Sequence, residues 1–230
     1  MKLACSSTAF DRQLRSGDLT QLEWIDLCAR ELGADGVVFD VAHFPRIDGD
    51  YLAQVKKMCA DLGLTVAAVR DDGFFAAGEA PMTATLDLAL ALGAPLLASQ
   101  LETETATSWT SALERIGMAT SLAKGRNVTL AVRNRRATFA ASSHDMRRVS
   151  KEADSAWLRL GPDFSEFDPS DDLAGVLARS VLVWYAGSDS ATAASTTARL
   201  GAFRGFLAVE TETGSATIES LAATFALLEG

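Results

Sequence analysis

A (β/α)₈ barrel is the architecture the sequence predicts, on three observations: a helix-stop signal at regular spacing, a short apolar run after each stop, and eight such runs alternating with amphipathic segments. The stops are Leu32-Gly33, Leu62-Gly63 and Leu92-Gly93, and Gly125 and Leu200-Gly201 continue the series. Glycine ends a helix there because it takes the left-handed conformation without a Cβ clash. A spacing of about 30 residues is the length of one strand-plus-helix unit.

The first strand begins near Leu3 and turns polar at Ser6-Ser7 without a GxGxxG loop, which disfavours a dinucleotide-binding open sheet. A helix from Thr20 follows. Thr20 and Glu23 have capping-box spacing, Leu19 and Trp24 can staple the entry, and Leu22, Ile25, Cys28, Ala29 and Leu32 make one apolar stripe. The next strands begin near Val37, Val66, Leu96, Thr129, Leu158, Leu182 and Leu207. Helices between them start near Asp50, Pro81, Thr105, Ser142, Asp171 and Ser190, and a last one runs from Ser215 to the end. The apolar runs do not alternate strictly with polar residues, as expected of strands covered on both faces. Unbroken alternation favours one barrel domain over residues 1–230 with short loops.

The formal charge is −9 and the basic residues are scattered except for Arg133, Arg135 and Arg136, so no basic face for nucleic acid is expected. The N-terminus turns polar too soon for a signal peptide, and no apolar run reaches the roughly 20 residues of a membrane span. A cytoplasmic protein is the expectation. Cys5, Cys28 and Cys59 show no CxxC spacing and read as buried reduced thiols.

Barrel active sites lie at the carboxyl ends of the strands. The polar residues there are Ser6, Ser7, Asp40, His43, Arg70, Asp71, Asp72, Gln100, Glu102, Arg133 to Arg136, Asp163, Trp184, Tyr185, Glu210 and Glu212. His43 reads equally well as a general acid or base and as a loop residue packed beside Phe44 and Pro45. Trp184 and Tyr185 suit a stacking platform or a plug of the barrel mouth. The arginines suit a solvated loop or an anion-binding wall. His144, beside Asp145 at a helix start, reads as a capping or surface residue.

Met1 to Ser7, the helix Leu19 to Leu32, Gly36-Val37-Val38-Phe39-Asp40 and His43-Phe44-Pro45 resemble the opening of the xylose-isomerase-like sugar isomerase/epimerase barrels, and the later strands align as well. That resemblance implies a divalent metal, Mn, Mg, Co or Zn, held by Glu, Asp, His and Glu at the ends of strands five to eight, where it polarises sugar oxygens. Carried over residue by residue, Asp163 and Glu210 keep two ligand positions. Arg133-Asn134-Arg135 stands where Glu-Asn-His is usual, and Trp184-Tyr185 stands where the histidine would be. A guanidinium beside the remaining carboxylates repels a cation, so weak metal binding or none is expected. The sharper expectation is that Arg133 fills the vacated position and pairs with Asp163 and Glu210, because two converging carboxylates need a cation between them and arginine does not deprotonate.

The resemblance therefore implies an isomerase or epimerase with Glu210, Asp163, Arg133 and His43 as catalytic candidates. Asn134, Arg135, Tyr185, Trp184 and Arg70 are the substrate-binding candidates. The competing reading is a non-catalytic barrel, monomer or homodimer, that binds a small polar or anionic molecule. The apurinic-site endonucleases share the barrel, but a three-zinc cluster and a basic DNA face do not fit two histidines and a charge of −9.

Overall fold

Eight strands run parallel in one sheet: β1 (Lys2–Ser6), β2 (Gly36–Asp40), β3 (Thr65–Arg70), β4 (Leu96–Gln100), β5 (Thr129–Arg133), β6 (Leu158–Leu160), β7 (Leu182–Tyr185) and β8 (Phe206–Val209). The computed structural model describes residues 1–168, 171–187, 189–211 and 213–229. β8 pairs with β1, and the order β6-β5-β4-β3-β2-β1-β8-β7 closes through bridges between Leu160 and Ser180 and between Asp163 and Trp184. The Trp184 amide donates to the Pro162 carbonyl at 2.8 Å across that seam.

The predicted strand starts fall within one residue of those observed. Among the described residues the helices are α1 (Asp11–Ser16), α2 (Gln21–Arg30), α3 (Gly49–Asp61), α4 (Glu79–Leu92), α5 (Trp109–Arg126), α6 (Ser143–Ala153), α7 (Ala174–Leu177), α8 (Ser190–Leu200) and α9 (Ile218–Glu229). The Thr20–Glu23 capping box is formed, and Trp24, Ile25, Leu27 and Cys28 bury the inward side of α2. Leu22 and Ala29 lie at the edge of that stripe.

Three expectations need correction. Gly125 does not end its helix: α5 runs on to Arg126, and Asn127 takes the left-handed turn at φ 55°, a conformation asparagine tolerates. The same helix starts at Trp109 rather than near Thr105, because Ser108 caps it. The segment from Asp171 makes only the single turn of α7, and α1 was not foreseen because its six residues bury no side chain and so carry no apolar stripe.

The strand pleat sorts side chains into two sets. Leu3, Cys5, Val37, Phe39, Leu130, Val132, Val183 and Tyr185 join the layer between strands and helices. Ala4, Val38, Ala68, Ala98, Ala131, Leu182, Trp184 and Ala208 fill the barrel. Most of the second set are alanines, and the indole of Trp184 occupies the volume they leave. Gly161 completes this arrangement, since a Cβ there would stand 3.4 Å from the Ala131 methyl and 3.7 Å from the Trp184 indole nitrogen. No helix among the described residues is long and apolar enough to cross a membrane.

Candidate functional site

The same alternation carries four charged side chains into the carboxyl end of the barrel. Arg133 follows Ala131 two residues on, Arg70 follows Ala68, Glu210 follows Ala208 and Asp163 follows Gly161. A cavity of about 780 Å³ opens above them, with Thr8, Asp40 and Asp72 also in its walls.

Arg133 is the centre of the arrangement. Its Nε and Nη2 donate to Asp163 Oδ2 at 3.2 and 2.5 Å. Nη2 also donates to Glu210 Oε1, and Nη1 reaches Glu210 Oε2 at 3.4 Å. The guanidinium carbon sits 4.4 Å from the centroid of the Trp184 ring, so the ion rests on an aromatic face as well as between two carboxylates. Its side chain is 4 % exposed, against 1 % for Asp163 and 11 % for Glu210.

The electrostatics follow from that geometry. Burial alone favours the neutral form of Arg133, but the fields and hydrogen bonds of Glu210 and Asp163 outweigh it and hold the guanidinium more firmly protonated than usual. Burial would likewise raise Asp163, yet Arg133 and the Ser165 hydroxyl and amide hold its carboxyl below the ordinary range. Arg70 is the second inward cation. It forks onto Asp72 through Nε and Nη2, and its Nη1 lies 3.6 Å from Asp40 and 3.8 Å from Glu210. Desolvation works against its charge, and Asp72 and Glu210 more than restore it. Thr8 donates to Glu210 Oε2 at 2.9 Å.

The remaining candidates divide. Arg135 and Arg136 stand at the rim, with nitrogens 3.1 and 3.6 Å from Glu166, and Arg136 is 84 % exposed. Asn134 does not face the cavity. Its amide accepts from the Asp163 N–H at 2.6 Å and donates to the Asp163 carbonyl at 3.2 Å, a staple between β5 and β6 that fixes where Asp163 points. Trp184 is fully buried beneath the arginines, and Tyr185 points out of the barrel on the opposite face of β7. Neither lines the charged cavity.

His43 also lies outside the mouth. Its side chain is fully buried, with Nδ1 2.8 Å from Ser7 Oγ and Nε2 2.8 Å from Asp11 Oδ1. The Asp40 amide donates to Ser7 Oγ, which directs the Ser7 proton to Nδ1 and the Nε2 proton to Asp11. Both ring nitrogens are engaged, so this histidine ties the β1 and β2 loops to α1. His144 is exposed and Ser142 performs the capping. Glu212 lies outside the described residues. Thr8, by contrast, was missed. The rule that selected Ser6 and Ser7 as residues after a strand end finds it when read one position further.

The residues present do not fit a divalent metal. Among the described residues no group of three or more His, Cys, Asp or Glu side chains is arranged to hold an ion. Asp163 and Glu210 turn their oxygens to a guanidinium, and the indole beneath it offers no coordinating lone pair.

With eight parallel strands and a site built on their carboxyl ends, the chain has the fold of the xylose-isomerase-like TIM barrels. Its architecture matches D-psicose 3-epimerase, solved with D-tagatose, from Clostridium cellulolyticum H10 (TM-score 0.80, 13 % identity, 100 % of this chain and 97 % of that one). It matches equally a probable 3-DHS dehydratase involved in petrobactin synthesis from Bacillus anthracis (TM-score 0.80, 14 % identity, 100 % and 99 % covered). A 3-keto-D-glucoside 4-epimerase from E. coli superposes at TM-score 0.71 with 16 % identity, 100 % and 99 % covered. Against a xylose isomerase-like TIM barrel/4-hydroxyphenylpyruvate dioxygenase fusion protein the chain spans 41 % of the length. No protein-family model and no curated protein matches the sequence. At these identities the likeness is one of fold.

Proposed function

We propose that the barrel mouth binds a small, polar, carbohydrate-like molecule without a metal ion, a fixed guanidinium taking the place of the cation that sugar isomerases and epimerases of this fold class use. The observation that carries the reading is Arg133, locked between Asp163 and Glu210 on the face of Trp184. An internally neutralised array suits a ligand that both donates and accepts hydrogen bonds. Among the described residues of the cavity walls five guanidiniums face seven carboxylates, so a polyol or a hydroxy-ketone fits better than a multiply charged anion. The volume lies in the range usual for small-molecule sites.

Isomerase or epimerase chemistry is the second reading, and one observation favours it. Glu210 is the more exposed of the two carboxylates, and a guanidinium and a threonine hydroxyl hold it facing the cavity. It is the group that would take a proton from a carbon beside a carbonyl while Arg133 or Arg70 stabilises the enolate oxygen. Against this, both of its oxygens already accept hydrogen bonds, so a substrate proton would compete with Thr8 and Arg133 for them.

The experiment is calorimetric titration with a panel of keto and aldo sugars, with and without Mn²⁺, alongside NMR in D₂O of each sugar that binds. Binding without metal and without loss of carbon-bound protons is expected. Exchange of the proton beside the carbonyl would replace the binder reading by the catalytic one. A Mn²⁺-dependent affinity would overturn the guanidinium as the substitute ion. A metal held at one-hundredth of the concentration added would also raise stability by about 2.7 kcal/mol, visible as a rise in Tm.

A further inference from the structure

A second cavity of about 450 Å³ lies between the β7 and β8 loops and helices α8 and α9, and the charged mouth does not account for it. It shares Ser165, Ala186, Thr211 and Thr213 with the mouth, so the two cavities have a common wall. Their chemistry differs sharply. The second is lined mainly by hydroxyl side chains and small residues, and among the described residues it has no Lys, Arg or His and one carboxylate, Asp189.

Four of the hydroxyls lining it have spent their protons on the protein itself. Thr192 donates to Asp189 at 2.6 Å, Ser220 to the Thr217 carbonyl at 2.9 Å, Thr224 to the Ser220 carbonyl at 3.0 Å and Thr211 to the Ala9 carbonyl at 3.4 Å. What such hydroxyls leave available is oxygen lone pairs, and a wall of lone pairs selects a donor. Tyr185 differs from these four. It is 2 % exposed, it lines this cavity, and its hydroxyl is buried without a partner among the described residues. The ring lies against Gly187 and Thr192, where a Cβ on Gly187 would overlap the phenol oxygen and come within 2.8 Å of the Thr192 methyl. An unsatisfied buried hydroxyl costs stability that a ligand group restores. Burial, with a smaller effect from Asp189, pushes the phenol above its usual range, so it stays a donor at neutral pH.

We infer that this cavity is a hydroxyl-lined subsite for a hydroxyl-bearing ring joined to the group held in the mouth, as in a disaccharide or a glycoside, with the Tyr185 hydroxyl as its buried hydrogen-bond partner. The inference rests on the mouth being a carbohydrate site. The lining disfavours a phosphate: among the described residues no cation faces the cavity, and the Asp189 carboxylate caps the α8 N-terminus by accepting from the Thr192 amide.

The chain has two tyrosines, and Tyr51 already donates to Gln21 at 2.9 Å. Protein labelled with ¹³C at tyrosine Cζ therefore gives one reporter and one internal control. Titration with cellobiose, maltose, sucrose and lactose is expected to move the Tyr185 signal for at least one disaccharide and to leave Tyr51 in place. Glucose is expected to move neither. Tyr185→Phe should keep the wild-type Tm or exceed it, bind that disaccharide about tenfold more weakly, and bind glucose unchanged.

A disaccharide that binds without moving the Tyr185 signal, or with equal affinity to Tyr185→Phe, would overturn the subsite and leave the mouth reading standing. A Tyr185 shift of unchanged midpoint in Arg133→Met would support the subsite and overturn the mouth reading. Failure of all five sugars to bind at millimolar concentration would overturn both.

Discussion

Replacing Arg133 with methionine removes the cation while keeping most of the side-chain volume, and the structure sets the scale of the loss. At an effective dielectric near 20, charges about 3 Å apart attract by roughly 5 kcal/mol, and Arg133 makes two such contacts. Much of that attraction offsets the cost of desolvating three buried ions, so the observable is the consequence of stranding two carboxylates together. That penalty is about 3–5 kcal/mol. At roughly 2–4 °C per kcal/mol for a chain of this size, Tm should fall by about 10 °C at neutral pH.

The loss should depend on pH in a defined direction. In the wild type Asp163 titrates below its unfolded value, so its stabilisation is present above the unfolded pKa and disappears as pH falls toward the folded one. In the variant, Arg133 no longer opposes the burial that raises Asp163, so its carboxyl titrates higher than in the wild type. The stranding penalty is full at neutral pH and is relieved as pH falls through that higher value. The two proteins should therefore converge in stability toward about pH 4. Urea denaturation from pH 4 to 8 measures this. A loss under about 1 kcal/mol, or a constant gap across that range, would refute the view that Arg133 serves as the ion between Asp163 and Glu210.

Trp184→Ala should leave a void inside the ring of alanines and remove the aromatic floor under both arginines, costing about 3–5 kcal/mol in denaturant unfolding. His43→Phe deprives Ser7 and Asp11 of their buried partner, at about 1–3 kcal/mol, while sugar binding at the mouth stays within twofold of wild type by calorimetry. A variant of normal stability that loses binding would return His43 to the functional residues.

Periodicity carried the strands and the site's location because both are local properties. A glycine stop followed by an apolar run fixes where β2, β3 and β4 begin, and the residues after those runs must lie at the barrel mouth. Arg133, Asp163 and Glu210 could be paired on paper because all three stand at strand ends and their charges demand one another. Trp184 and Tyr185 show where this reasoning stops. Adjacent in sequence and alike in composition, they were placed together, and the pleat sends one under Arg133 and the other out toward α8 and α9. Asn134 and His43 show a related limit, the second left open between two readings: a polar residue after a strand can turn into the mouth or back into the scaffold, and only packing decides which.

The sequence by itself determined an eight-unit barrel, the strand ends at which its polar residues gather, and the presence there of a cation and an aromatic pair beside two carboxylates. Only the tertiary structure decided which of two neighbouring aromatics stands beneath the cation. It alone shows that the alanines of five strands leave room for an indole, and that a hydroxyl-lined cavity adjoins the charged one. The physical reason is that side-chain direction and void volume depend on strand register and on residues far apart in the chain, and no local pattern encodes them.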